Sequence, residues 1–168
     1  YQLFVPLYFC LIKPIKVKMK KQILLLIVVL LSATTFAQST SKRLEHFNLE
    51  KKVAIQGYDP VAYFKQSKAI KGKKEIAVAY EGVVYQFSTA TNKETFLKNP
   101  AAFEPQYGGW CAYAMGSYGE KVEINPETFK ILDGKLYLFY NAYFNNTLKS
   151  WNKDESSLKK KADATWKK

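Results

Sequence analysis

The segment QYGGWCAYAMG, residues 106–116, contains the side chains of this chain that are best suited to chemistry. Cys111 supplies a thiol, which acts in proteins as a nucleophile or a soft metal ligand. Met115 adds a thioether four residues later, on the same face if the segment is helical. Such a pair favours a soft metal such as copper(I), with His46, the only histidine, as a third candidate ligand.

Three roles are open for Cys111. It is a buried, inert side chain of the core, a ligand for a metal or small molecule, or a reactive thiol in a redox protein. Gly108 and Gly109 precede it and allow a close backbone approach to a ligand. A cysteine in a first helical turn also meets the positive end of the helix dipole, which favours the thiolate.

Aromatic side chains with polar tips surround this segment and the segment GYDPVAYF, residues 57–64. Side chains of this kind are typical of small-molecule pockets, although most aromatic residues serve as core. Asp59 precedes a proline and is expected to cap a helix rather than act as an acid or base. The pocket candidates are Tyr58, Asp59, Tyr63, Tyr107, Gly108, Gly109, Trp110 and Tyr113.

The sequence predicts that these residues are positioned by an α+β fold. We expect a small antiparallel sheet built from hairpins, with short helices packed on it. Glu81-Gly82 and Asp133-Gly134 each separate two alternating apolar runs and predict tight hairpin turns. Residues 38–50 read as a polar lead-in, and residues 53–55 as a short strand. Helices are predicted over 60–65, from a capping box at Thr91 and Glu94 to Asn99, over 109–115, over 143–150 and over 156–166.

The N-terminal region predicts export. Residues 19–37 combine a positive start, an apolar run and a small-residue cleavage site near Ala37, which is the pattern of a secretory signal peptide. We expect residues 1–18 to lie upstream of the true start and residues 38–168 to form a single domain, periplasmic or secreted, with no membrane span left after cleavage. Cys111 would then be the only cysteine of the mature chain, so no internal disulfide can form.

Several function classes are disfavoured. One histidine leaves no Ser-His-Asp arrangement to be argued, and QYGGW lacks the pattern of a phosphate-binding loop. The formal net charge of +12 first indicates a soluble surface rich in lysine. Nucleic acid is not an expected partner, because export removes the chain from it. A protein partner remains open.

Two segments resemble the YHS domain family. They are GYDPVAYF (57–64) and YEGVVYQFSTATNKETFLKNPAAF (80–103). The remaining segments QYGGWCAYAMG and DGKLYLFYN, with Trp151 and Trp166, resemble the exported, single-domain form of that family, some of whose relatives are labelled seleno-type. The resemblance covers about residues 44–168 and implies a treble-clef-like core.

The resemblance also implies where a metal would bind. The metal-binding members place cysteines at three positions that are Ala62, Ser88 and Asn92 in this chain, so no tetrahedral thiolate site can be built there. These are called the three ligand positions below. The leading hypothesis is therefore a non-enzymatic binding module for a soft metal ion or a small ligand at Cys111. The alternatives are a thiol-redox protein and a structural or interaction domain without a small-molecule site.

Overall fold

A computed structural model describes residues 40–167, which belong to one compact unit. The expectations for the signal peptide, for its cleavage site and for residues 1–18 lie outside the described residues. The architecture is α+β, as predicted, with helices packed on small sheets. No helix in the described part of the chain is long and apolar enough to cross a membrane.

The helices are short. A helix that we call α1 covers residues 40–46 of the described chain. It is followed by α2 (Pro60–Lys65), α3 (Ala90–Lys98), α4 (Ala112–Ser117), α5 (Thr147–Trp151) and α6 (Glu155–Trp166). The expected bounds of α2 are confirmed, because Asp59 caps it and a proline opens it. Short 3-10 turns lie at Ile55–Gly57, Pro100–Ala102 and Gln106–Gly109.

The strands form three separate ladders rather than one antiparallel sheet. The largest contains β1 (Leu49–Glu50), β2 (Val53–Ala54), β3 (Lys73–Tyr80) and β4 (Val83–Phe87), in the order β1-β2-β4-β3. Within it β2 and β4 are parallel, joined by a single residue pair, Val53 with Val84. The other two ladders are the hairpins β5 (Asn125–Leu132) with β6 (Lys135–Phe139), and β7 (Asn141–Ala142) with β8 (Asn145–Asn146).

Strand β6 divides the core into two clusters. Its Leu136 and Leu138 belong to a first cluster with α2, α3 and the large sheet, whereas Tyr137 and Phe139 belong to a second cluster with α5 and α6. Successive side chains of a strand point to opposite faces, so a strand buried on both faces serves both clusters. The second cluster includes Trp151, which is fully buried.

Four expectations about secondary structure are wrong. The lead-in of residues 38–50 is not free chain, because it contains α1 and β1, and Arg43 of α1 pairs with Glu104. Helix α3 begins after Thr89, not at Thr91, since the Thr89 side chain accepts from the backbone N–H of Asn92. The other two errors concern the Cys111 segment and residues 143–150.

The Cys111 helix starts later than residue 109. Residues 106–109 form a 3-10 turn with Tyr107 and Gly108 at positive φ, and Cys111 is the extended residue before α4. Gly116 does not end the helix either. A β-carbon there would lie 2.4 Å from the carbonyl oxygen of Leu158, so the glycine allows α6 to pack closely against α4.

Residues 143–150 are a hairpin tip followed by a helix. Strands β7 and β8 pair Ala142 with Asn145, which leaves Tyr143 and Phe144 as a two-residue turn with φ of 48° and 62°. Helix α5 begins only at Thr147, after Asn146 accepts a hydrogen bond from the backbone N–H of Leu148. In α6, Leu158 and Ala162 are buried along one face, as the four-residue spacing predicts.

Candidate functional site

Cys111 is held by backbone and hydroxyl groups of its own chain. Its N–H donates to the carbonyl of Val122 at 2.9 Å, and it forms a bridge to Leu138 of β6. The backbone N–H of Tyr140 points to its sulfur at 3.4 Å, and the Thr147 hydroxyl lies 3.4 Å from the same atom. The thiol therefore lies where β6 ends and α4 and α5 begin.

The direction of the Cys111–Thr147 contact follows from hydrogen-bond counting. The Thr147 hydroxyl has one proton, and it donates that proton to the carbonyl of Tyr140 at 2.9 Å. The Cys111 S–H must then be the donor to Thr147, while the sulfur accepts from the N–H of Tyr140. Both roles of a neutral thiol are filled, and the residue is fully buried. This arrangement disfavours a reactive thiolate, which needs access and cationic neighbours.

A pocket of about 270 Å³ lies on the Cys111 side of α4. Three tyrosines form much of its wall, and none of its lining residues carries a formal charge. Tyr113 and Tyr118 stand edge to face, with ring centroids 5.9 Å apart. The lining residues are Cys111, Tyr113, Ala114, Tyr118, Val122, Tyr140, Asn145 and Thr147.

Hydrogen bonding within this wall changes the acidity of a phenol. The Tyr118 hydroxyl, and after it that of Ser117, hydrogen-bond to Tyr113 and lower the pKa of Tyr113 below its ordinary value. The same pairing raises the pKa of Tyr118. The pocket thus offers phenol hydroxyls beside apolar ring faces.

The three metal candidates do not share this pocket. Met115 is buried in the second cluster beside Trp151, whereas Cys111 belongs to the first cluster. The expected shared face fails because Cys111 precedes α4 in an extended conformation and is not part of the helix. His46 ends α1, where its carbonyl accepts from the Trp110 indole at 2.6 Å and its Nδ1 lies 3.4 Å from the ammonium of Lys121.

The described residues contain no group of three histidine, cysteine or carboxylate side chains placed to hold a metal ion. A soft-metal centre at Cys111 would have to use the single thiol and tyrosine oxygens, which is a poor donor set for copper(I). The donor chemistry of this pocket therefore fits an organic molecule better than a metal ion.

Most of the other pocket candidates hold the fold together. Tyr63 donates to the carbonyl of Pro126 at 2.9 Å, and burial raises its pKa. Tyr107 donates to Asp163 at 3.0 Å, and its pKa is raised by burial and then by that carboxylate. Tyr58 reaches Glu127 at 3.3 Å.

Gly108 and Gly109 pack against side chains of the protein itself and do not face a ligand pocket. A β-carbon on Gly108 would lie 2.8 Å from the Phe47 ring and 2.9 Å from that of Trp166. Gly109 adopts a φ of 87°, which a glycine takes without strain. Of the residues singled out in the sequence, only Cys111 and Tyr113 line the pocket. Tyr118, Tyr140 and Asn145 carry no sequence signal beyond their types, because distant segments bring them together.

Asp59 is the centre of a buried polar cluster that the sequence indicates only in part. Its Oδ1 caps α2 by accepting from the backbone N–H of Val61 at 2.9 Å and, at 3.3 Å, from that of Ala62. Its Oδ2 accepts from the N–H of Ser88 at 2.8 Å, the Ser88 hydroxyl at 2.6 Å and the Asn92 amide at 2.7 Å. The carboxylate is fully buried, so these donors replace its solvation.

The three ligand positions converge on this carboxylate. Ala62 reaches it through its backbone N–H, Ser88 through its N–H and hydroxyl, and Asn92 through its side-chain amide. They come from three elements, α2, the end of β4 and α3. A network of hydrogen-bond donors thus occupies the point on which these positions converge.

Comparison with protein-family models, with curated proteins and with solved structures finds no match to this chain. A family can therefore be argued only from the residues of the chain and from where the fold places them.

Proposed function

We propose that this chain is an exported, non-enzymatic binding domain of the YHS type that takes a small, uncharged aromatic molecule in the Cys111 pocket. The family part of the proposal is supported by the convergence of the three ligand positions on Asp59. The binding part is supported chiefly by one observation, a pocket walled by tyrosines and without a charged lining residue.

The size and lining of the pocket define the ligand. A cavity of about 150 Å³ is enough to bind benzene in a protein core, so 270 Å³ has room for one substituted ring. Flat tyrosine faces favour stacked or edge-to-face contact with another ring. The Tyr113 hydroxyl and the Asn145 amide are the polar groups that would orient a ring with a hydroxyl or carbonyl substituent.

Binding rather than catalysis fits the groups present. The lining has no carboxylate, imidazole or amine to transfer a proton near neutral pH, and the thiol has both hydrogen-bonding roles filled. The thiol-redox alternative predicts an accessible thiolate, whereas the folded chain surrounds Cys111 completely. Because Cys111 exposes none of its surface and its sulfur already has two hydrogen-bond partners, we expect iodoacetamide to alkylate the folded chain much more slowly than the unfolded chain.

The proposal is tested with phenol as the probe. Titration of the domain from Gln38 onward, followed by chemical shifts of the pocket residues, is expected to give saturable binding with a Kd on the order of 1 mM, as one buried ring allows. Tyr118→Ala removes one wall at an exposed position and should weaken binding about tenfold. Leu97→Ala changes an exposed apolar residue of α3 and is the matched control.

Two results would overturn the proposal. Shift changes that do not saturate, or that spread over residues outside the pocket, would leave it without a binding site. An equal affinity for phenol in Tyr118→Ala and in the unaltered chain would show that phenol does not bind in this pocket. Metal content is measured on the same sample, since a stoichiometric copper ion that is lost in Cys111→Ser would instead support the soft-metal alternative.

A further inference from the structure

The tip of the β7–β8 hairpin holds two aromatic side chains that are exposed to solvent. Tyr143 and Phe144 are 92% and 112% exposed, which makes them the most exposed large apolar residues of the described chain. Both have positive φ, a conformation that is uncommon for residues with bulky side chains. A protein that only needed a turn would place asparagine and glycine at these two positions.

Other hairpins of the same molecule show what a turn requires. The turns Glu81-Gly82 and Asp133-Gly134 have the same two-residue length and positive φ, and each has glycine at its second position. The β1–β2 turn, residues 51–52, has two lysines, whose charged ends are solvated. Only the β7–β8 turn combines backbone strain with exposed apolar rings among the described hairpins. Strain retained at an exposed position points to a use outside the fold.

The tip adjoins the Cys111 pocket directly. Asn145 follows Phe144 in the chain and lines the pocket. Tyr118, the next most exposed aromatic residue at 65%, lines the same pocket. A protruding pair of rings and an aromatic concavity large enough for one ring therefore share a single patch of surface.

We propose that two copies of this chain associate through this patch, each placing its Tyr143–Phe144 tip into the Cys111 pocket of the other. A two-fold dimer uses the same patch on both subunits, so the patch must complement itself. The Tyr143–Phe144 tip lies beside the Cys111 pocket, so this patch can complement itself. A two-fold axis between two copies places the tip of each copy over the pocket of the other. The inference uses the pocket of the proposed function but does not require that a small molecule binds there.

Charge favours a second copy at this patch. The chain has a formal net charge of +12, and the domain from Gln38 onward keeps 12 − 5 = +7, because residues 1–37 contain five lysines and no carboxylate; two copies therefore repel each other. The pocket lining has no charged residue, and neither does the tip. Like copies can therefore approach here without bringing lysines face to face. An acidic partner would instead be drawn to the lysine-rich surfaces elsewhere.

The area is sufficient for a specific dimer. An aromatic side chain buries about 150–250 Å², so the four tip side chains of two copies bury roughly 600–1,000 Å². The pocket walls that they contact bury about as much again, which gives a total of about 1,200–2,000 Å² and the range of standard interfaces. One ring enters the pocket of about 270 Å³, and the other covers its rim beside Tyr118.

The test is sedimentation velocity over a wide range of protein concentration, on three forms of the domain from Gln38 onward. The unaltered chain is expected to show a reversible monomer–dimer equilibrium. The double variant Tyr143→Asn with Phe144→Gly has the favoured turn residues and should fold at least as well, yet dimerise at least tenfold more weakly. Leu97→Ser removes another exposed apolar side chain and should dimerise as the unaltered chain does.

A monomer at all concentrations, or a double variant that dimerises normally, would overturn the inference. Adding phenol should shift the unaltered chain toward monomer, because both occupants use one pocket. Phenol binding is also measured on the double variant, where the pocket is free of a partner. Saturable binding there together with no dimer of the unaltered chain would refute the dimer alone, and a dimer without phenol binding would refute the small-molecule function alone.

Discussion

Replacing Asp59 by asparagine tests whether its carboxylate organises the first core cluster. The side chain keeps its shape, and asparagine caps a helix about as well as aspartate does. We expect the amide oxygen to stay at the Oδ1 position and to keep accepting from the N–H groups of Val61 and Ala62. The new NH2 group then faces the donors that now bind Oδ2, which are the Ser88 N–H, the Ser88 hydroxyl and the Asn92 amide.

The cost can be worked out donor by donor. The Ser88 hydroxyl can turn to accept, and the Asn92 amide can present its oxygen, but the Ser88 N–H is fixed by the backbone and loses its partner. A hydrogen bond to a charged group contributes about 1.5–3 kcal/mol, and an orphaned buried donor costs about 1–3 kcal/mol. Allowing for the bonds that re-form, Asp59→Asn should lower the free energy of unfolding by about 3–4 kcal/mol.

The assay is urea unfolding followed by far-UV circular dichroism, with the denaturant slope compared to show that the compactness of the states is unchanged. Ser88→Ala should cost about 1.5–2 kcal/mol, since Asp59 keeps its other donors. Asp163→Asn is the matched control, because its one hydrogen bond from Tyr107 can pass to the amide oxygen at a cost below about 1 kcal/mol. A loss of less than about 1 kcal/mol for Asp59→Asn would refute the reasoning, because the network would then not depend on an acceptor at Oδ2.

Further predictions concern the packing, the turn, the tyrosines and the ligand positions. Cysteine at all three ligand positions should give a chain that retains stoichiometric zinc after desalting, and a metal-free product would count against the family proposal. Gly116→Ala should cost about 2–4 kcal/mol by urea unfolding, because the new methyl group meets the backbone of Leu158; an unchanged midpoint would show that α6 can move away. Phe144→Gly should stabilise the fold by about 1 kcal/mol, since it relieves a left-handed backbone, and a lower midpoint would mean that the ring packs on its own chain. Burial raises the pKa of Tyr63 and of Tyr85. The stability that the two neutral phenols contribute is therefore fully present below pH 10, the ordinary tyrosine value, and is lost at higher pH. Tyrosinate absorbance should rise together with unfolding above pH 10, and ionisation of all tyrosines without unfolding would contradict this prediction.

The sequence predicts elements whose boundaries depend on local chemistry. Asp133-Gly134 adopts the left-handed turn that its residue types favour, and Pro60 begins α2. The prediction starts α3 two residues late because Thr91 and Glu94 match a capping box, whereas the third residue after Thr89 is Asn92 and not a glutamate or glutamine. Starting the helix after Thr89 allows the Asn92 amide to reach Asp59, so a tertiary contact selects between two local patterns.

The candidate site depends more strongly on contacts between distant segments. Cys111 is kept out of α4 by its hydrogen bond to Val122 and its bridge to Leu138, neither of which has a local signal. Helical spacing therefore wrongly paired Cys111 with Met115. Residues 143–150 contain no glycine or proline that would mark a turn in the sequence. Only the pairing of β7 with β8 makes a turn of Tyr143 and Phe144.

The Asp59 cluster can hold three elements together at one buried point, as a bound metal ion does in a metal-centred fold. An ion attracts lone pairs, so its ligand positions need thiolates or imidazoles. A carboxylate attracts protons, so the same positions need N–H and O–H groups, which are the groups that Ala62, Ser88 and Asn92 present. Three elements are tied at one buried point in either case, and the hydrogen-bonded version does not depend on metal supply. A ligand function at such a point would compete with its structural role, because removing any donor leaves a buried charge less well satisfied. This conflict is absent at the Cys111 pocket, where an exposed Tyr118 forms part of the wall and can be changed without opening the core.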